Sequence, residues 1–242
     1  MKIIEKISAK NKDIYGAKTV TIAFLGDSVT QGCFECYFDE KGVQTVFDAK
    51  SAYPTRVKEI LNLLFPAAQI NIINAGISGD NTVNGNKRFE RDIALYKPDL
   101  VVVSFGLNDA CGGKGKLKDY TDALGSIFGK VKDLGAECIF VFQNVVNTKV
   151  SPHLKEDREK DLAKFFSKVQ NDGIMDIYYN ATKEIAKKCG VKFCDVYSAW
   201  KKMAKSGVDT TELLANFYNH PIREFHYYTA IKIVETMFGY QI

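Results

Sequence analysis

The chain has 242 residues, 46% hydrophobic and 26% charged, with 18 Gly and 5 Pro. That is the balance of an ordinary globular protein and excludes disorder, collagen and low-complexity scaffolds. Lys and Arg number 33 against 29 Asp and Glu, a formal net charge of +4 with the signs interspersed, so the charge implies no nucleic-acid or membrane partner.

The first stretch, MKIIEKISAKNKDIYGAK, carries charges where a signal peptide needs an apolar run, and no segment approaches transmembrane length, so the expected location is the cytoplasm. Thr19–Leu25 is an apolar, β-branched run and reads as the first strand, followed by Gly26-Asp27-Ser28. Cys33–Asp48, with Tyr37, Phe38, Val43, Val46 and Phe47 around Asp39-Glu40-Lys41-Gly42, interrupts the pattern and reads as a hairpin insertion at 33–48. Tyr53–Phe65 has helical period, and Gln69–Ile73 is a second strand, followed by Asn74-Ala75-Gly76-Ile77-Ser78-Gly79-Asp80. Thr82–Tyr96 reads as a helix and Leu100–Phe105 as a third strand, leading into Gly106-Leu107-Asn108-Asp109. A helix over Leu117–Leu134, a strand at Glu137–Phe142, a helix over Asp157–Lys188 broken near Asn171-Asp172-Gly173, a strand at Val191–Val196 and a helix from Tyr227 to Phe238 complete the order. The charge run Lys155–Asp161 is read as the solvated start of its helix.

Near-continuous hydrophobicity marks strands covered on both faces, and strands alternating with helices give βαβ crossovers. The expected fold is a three-layer α/β/α sandwich with a flavodoxin-like, five-stranded parallel sheet, in one domain spanning residues 1–242. Six scattered cysteines fit reduced thiols. Cys33 and Cys36 form a CxxC with no second pair and no nearby His, so they read as two unrelated thiols, and no metal site is expected.

Three polar motifs begin where three strands end, at the edge where open parallel sheets bind ligands. A fourth, Asn219-His220-Pro221-Ile222-Arg223-Glu224-Phe225-His226, precedes the last helix. Gly26-Asp27-Ser28 with Gly32, NAGISGDNT at Asn74–Thr82, GLND at Gly106–Asp109 and His220-Pro221 together resemble the four blocks of the SGNH hydrolases, which include the GDSL esterases and lipases. The resemblance spans about residues 19 to 238. The competing α/β-hydrolase elbow G-x-S-x-G is absent, because Thr30 holds the place of its second glycine.

By this resemblance Ser28 is the nucleophile, at a tight turn opening a helix. The oxyanion donors are the N–H of Ser28, the N–H of Gly79, with Gly76 as the nearby alternative, and the side-chain amide of Asn108, which donates without adding negative charge. The base must come from three histidines. His220 occupies the family position, His226 matches a second histidine of structural role, and His153 lies outside the pattern. The usual triad aspartate is replaced by Phe217. The orienting group is then Asn216, Asp209, Glu212 or a backbone carbonyl, and the imidazole is expected to ionise no higher than its usual value of about 6.5.

The resemblance implies a serine esterase that forms an acyl-serine intermediate, needs no metal or organic cofactor, and acts on a small-molecule or carbohydrate ester such as an O-acetyl sugar. Two other readings stand beside it: a non-catalytic flavodoxin-like module binding a phosphorylated ligand, and an acyltransferase using the same residues.

Overall fold

The computed structural model describes residues 1–239. Its elements in chain order are α1 (Lys2–Lys12), β1 (Val20–Gly26), α2 (Ser28–Gln31), β2 (Cys33–Asp39), β3 (Gly42–Phe47), α3 (Tyr53–Leu64), β4 (Ile70–Gly76), α4 (Thr82–Asp92), β5 (Leu100–Ser104), α5 (Leu107–Cys111), α6 (Leu117–Asp133), β6 (Glu137–Phe142), α7 (Asp157–Asn171), α8 (Ile174–Cys189), β7 (Lys192–Asp195), α9 (Tyr197–Lys205) and α10 (Arg223–Phe238).

Five strands form one parallel sheet in the order β4-β1-β5-β6-β7. Helices α3 and α10 pack together on one face, and α4, α6 and α8 on the other. This is the three-layer fold expected from the sequence. Every residue of β5 is buried, as its unbroken Leu-Val-Val-Val run requires of a central strand covered on both sides. Strand order reverses between β1 and β5, so the loops leaving these strands open a crevice at the carboxyl edge.

The structure moves several boundaries. β4 runs on through Asn74-Ala75-Gly76, because the second motif pairs with β1 as far as Gly26 before it turns away. The long helical stretch divides at Gly173, whose φ of 73° lies in the left-handed region. Thr82–Tyr96 ends as a helix at Asp92 and finishes in a separate short turn at Ala94–Tyr96. The last helix starts at Arg223, four residues before the expected Tyr227, so His226 lies within its first turn. Helix α1, unexpected among so many charges, buries Ile3 and Ile7, an i, i+4 pair on one stripe. No described helix is long and apolar enough to cross a membrane.

The insertion is an antiparallel hairpin of β2 and β3. Its register shifts between Cys33, opposite Phe47, and Cys36, opposite Thr45, so Phe34 and Glu35 face Val46 alone. A bulge of this kind leaves a main-chain group outside the ladder and re-aims it.

Candidate active site

Ser28 is the first residue of α2, separated from the end of β1 at Gly26 by Asp27 alone. Asp27 caps the helix by accepting the Val29 N–H at its Oδ1 (3.0 Å). As a first-turn residue, Ser28 has a backbone N–H with no acceptor inside the helix, and the helix dipole favours negative charge there.

His220 comes to the same place along the loop that precedes α10. The Ala215 N–H donates to the His220 carbonyl (2.7 Å), and Leu214 bridges Pro221 across the loop. Between them Asn216 Oδ1 accepts the N–H groups of Tyr218, Asn219 and His220 (3.1, 3.0 and 3.0 Å). This tight turn puts Phe217 at φ 58°, an uncommon conformation for a bulky residue and one that the surrounding bonds must hold.

His220 Nε2 lies 2.9 Å from Ser28 Oγ, and His220 Nδ1 lies 2.9 Å from the Phe34 carbonyl oxygen. A carbonyl only accepts, so the ring proton sits on Nδ1 and the Nε2 lone pair is left to receive the Ser28 hydroxyl proton. Among the four expected candidates for the orienting group, the backbone carbonyl is the one in contact. Asn216 is spent on building the loop. Asp209 caps the short turn at Thr210–Leu213 and pairs with Lys149, and Glu212 binds Ser151 and His153. None of these three side chains contacts Nδ1, because the bulge delivers a main-chain oxygen there first. Burial pushes the His220 ionisation down to about 4, against a smaller upward effect of the Phe34 hydrogen bond.

The second and third motifs join this centre through hydrogen bonds. Asn74 donates its side-chain amide to the Thr30 carbonyl (2.9 Å), and the Ser78 N–H donates to Gln31 Oε1 (2.7 Å). A Cβ on Gly76 would collide with the backbone of Thr30 and Gln31, so this glycine is fixed by close approach. Gly79 is different: space around it is open, but its φ of 75° favours glycine and turns the chain at the rim. Asn108 Nδ2 donates to the Asp80 carbonyl (2.8 Å). That bond fixes the amide and leaves its second N–H available. Asp109 accepts from the N–H and hydroxyl of Thr82, tying the third motif to α4, and burial raises its carboxyl to about 6.

The other histidines lie apart from Ser28. His226 accepts the Tyr53 N–H at Nδ1 (3.1 Å), capping α3, and burial pushes its ionisation down to about 3. His153 is exposed, stacked on Phe217 and paired with Glu212. Among the described residues no group of three or more His, Cys, Asp or Glu could hold a metal ion. All six cysteines are free.

Two contributors escaped the sequence reading, and a third was foreseen only as an unspecified backbone carbonyl. Buried Arg88 donates to Asp80, Ala75 O and Gly26 O, fastening the second motif to the end of β1. Gln143 donates to Asp27 and to Ser104; a polar residue directly after an apolar strand, at the carboxyl edge, was a readable signal. The Phe34 carbonyl carried none, because main-chain oxygens leave no residue type to recognise.

Residues 24–226 match the family model described as the GDSL-like lipase/acylhydrolase family. The chain belongs to this family. It is an ester hydrolase of the SGNH type. An acetylxylan esterase from Geobacillus stearothermophilus is 26% identical over 195 residues, covering 76% of this chain and 80% of that protein. An arylesterase from Vibrio mimicus is 34% identical over 79 residues, 33% of this chain and 39% of that protein. Among solved structures, a two-domain esterase active on acetylated mannans superposes with a TM-score of 0.68 at 20% identity. It covers 98% of this chain, which spans 52% of that longer one. The structure of an acetylxylan esterase from Geobacillus stearothermophilus gives 0.65 at 23% identity, covering 92% of this chain and 95% of that one. These likenesses show the shared fold.

Proposed function

We propose that the protein is a serine esterase acting through Ser28 and His220 on small acyl esters, with O-acetyl groups on a carbohydrate as the substrate class. The carrying observation is the 2.9 Å contact between Ser28 Oγ and a His220 Nε2 whose lone pair faces it. His220 removes the hydroxyl proton as Oγ attacks the ester carbonyl. The oxyanion of the tetrahedral intermediate is received by the N–H of Ser28, the N–H of Gly79 and the free N–H of Asn108. Collapse breaks the bond to the alcohol, which leaves with the proton from His220, and an acyl-serine remains. Water, deprotonated by the same nitrogen, attacks the acyl carbon and the acid departs.

Support for the acyl and alcohol parts comes from the named activities of similar proteins on acetylxylan and acetylated mannans. The whole chain is read as one such catalytic unit, cytoplasmic and independent of metal or organic cofactor.

A panel of chromogenic esters from acetyl to palmitoyl, run beside acetylated sugars, tests this reading. The expected result is fastest turnover on acetyl esters, loss of turnover in Ser28→Ala, and fluorophosphonate labelling at Ser28. Labelling at another serine, or a preference for long acyl chains, would overturn it.

A further inference from the structure

The base is oriented by a neutral oxygen on an inserted hairpin, so something must hold that hairpin against the imidazole. Arg223 stands at the junction. It opens α10, at the end of the short segment that begins with His220. Its Nη1 and Nη2 donate to the two carboxylate oxygens of Glu35 (2.5 and 3.1 Å), and its Nε donates to Asp48 Oδ2 (3.0 Å). Glu35 belongs to the bulge and follows Phe34 in sequence, while Asp48 directly follows the hairpin's second strand, β3, and donates its N–H to the Gly32 carbonyl (2.8 Å). The guanidinium also lies 4.3 Å from the centroid of the Phe34 ring, which is fully buried. One side chain thus grips both roots of the hairpin and the ring of the residue whose carbonyl meets His220.

We infer that Arg223 is a positioning residue for the base: by clamping the bulge it keeps the Phe34 carbonyl on His220 Nδ1 and so holds the imidazole in the tautomer that can accept the Ser28 proton. The inference rests on the proposed role of Ser28 and His220. A triad acid holds its histidine by charge as well as by geometry, whereas a carbonyl has geometry alone, so a small displacement of Phe34 frees the ring to carry its proton on Nε2. In that form the nitrogen facing Ser28 is a donor and the hydroxyl has no base. Only a planar fork can bridge Glu35 with two bonds while a third donor reaches Asp48. The pairs are partly exposed, with 35% of the Arg223 side chain accessible, a setting in which ion pairs contribute little to stability. A clamp therefore predicts a catalytic loss out of proportion to any loss of fold.

Three histidines make the spectrum of the ¹⁵N-histidine-labelled protein assignable. In the wild type the His220 proton should reside on Nδ1. In Arg223→Ala it should redistribute toward Nε2, and kcat on an acetyl ester should fall at least about tenfold, within the ~10⁴ that a wrongly tautomeric imidazole costs a triad, with KM unchanged. Arg223→Lys should recover part of kcat. The shape-conserving double variant Glu35→Gln with Asp48→Asn should reproduce the loss with Arg223 intact, which covers failure of the alanine variant to fold. Wild-type kcat in the Arg223 variants, or a loss of kcat with the proton still on Nδ1, would overturn the clamp. Persistence of turnover in Ser28→Ala would instead remove the reading on which it rests.

Discussion

Gln143 Nε2 donates to Asp27 Oδ1 across 3.1 Å where both side chains are buried, and the other oxygen of each, Asp27 Oδ2 and Gln143 Oε1, has no hydrogen-bond partner. An aspartate so placed keeps its proton longer than one in water, and burial raises Asp27 from 3.8 to about 7. Between those values the folded chain holds a proton that the unfolded chain has released. The contribution of Asp27 to stability is therefore largest in acid and declines as pH rises toward about 7. Asp27→Asn removes that slope while keeping an oxygen to accept the Val29 N–H. Urea midpoints should show the variant gaining on the wild type across this window and holding a constant advantage above it. A difference independent of pH would mean that Asp27 titrates as an ordinary surface carboxyl.

Activity should have an acid limb well below the ordinary histidine range. Burial pushes His220 down to about 4, and only the neutral ring can accept the Ser28 proton. The pH profile of kcat/KM should then be level above about pH 5 as far as this group determines it, and should fall through about 4. A limb near the ordinary histidine value of 6.5 would show that His220 is solvated in the working enzyme.

The amide of Asn108 should matter for kcat rather than KM. Its bond to the Asp80 carbonyl holds the group still in the free enzyme, and the remaining N–H meets charge that develops only in the transition state. Asn108→Ala should lower kcat by ~10²–10³, and Asn108→Asp, which places a negative charge beside the oxyanion, by more. A change confined to KM would make Asn108 a substrate contact.

Around the base, the structure separates side chains that a deletion series on sequence grounds would treat alike. Asp209→Ala and Glu212→Ala remove groups whose partners lie away from His220, so kcat should stay within about twofold of wild type, as for ordinary surface substitutions. Asn216→Ala leaves three buried N–H groups without their acceptor and should cost about 1–3 kcal/mol in thermal or urea unfolding.

His226 is a stability residue by the same reasoning. It is held neutral, with burial taking it down to about 3, and accepts the Tyr53 N–H at the start of α3. The unfolded chain takes up a proton near 6.5 that the folded chain refuses until about 3. This contribution is therefore present above the unfolded value and is lost as pH falls. His226→Phe should flatten that part of the stability profile and lower Tm, with Ser28-dependent turnover surviving in the folded fraction. Loss of turnover with an unchanged Tm would reverse the assignment of the two histidines.

Strand runs such as Leu100–Ser104 and the motifs at their ends were legible because local chemistry writes them. A strand buried on both faces must be apolar, and a turn at φ 75° favours the glycine found at Gly79. Ser28, Asn108 and His220 were candidates through the resemblance of their motifs to the SGNH blocks, and a flavodoxin-like sheet brings the carboxyl ends of β1, β4 and β5 to one edge. What the tertiary structure alone decided is the partner of His220 Nδ1. Asn216 was a reasonable candidate by chain distance, but its oxygen satisfies three N–H groups of the turn it builds, and a buried N–H left open is costly. The group that orients the ring is a carbonyl that any residue could supply, far from His220 in sequence. It comes into place because the register slips between Cys33 and Cys36 and Arg223 meets Glu35 and Asp48. Side-chain chemistry is carried by residue identity and can be read along the chain. A main-chain acceptor takes its role from position, and position here is set by a hairpin packed against a helix that begins about 180 residues later.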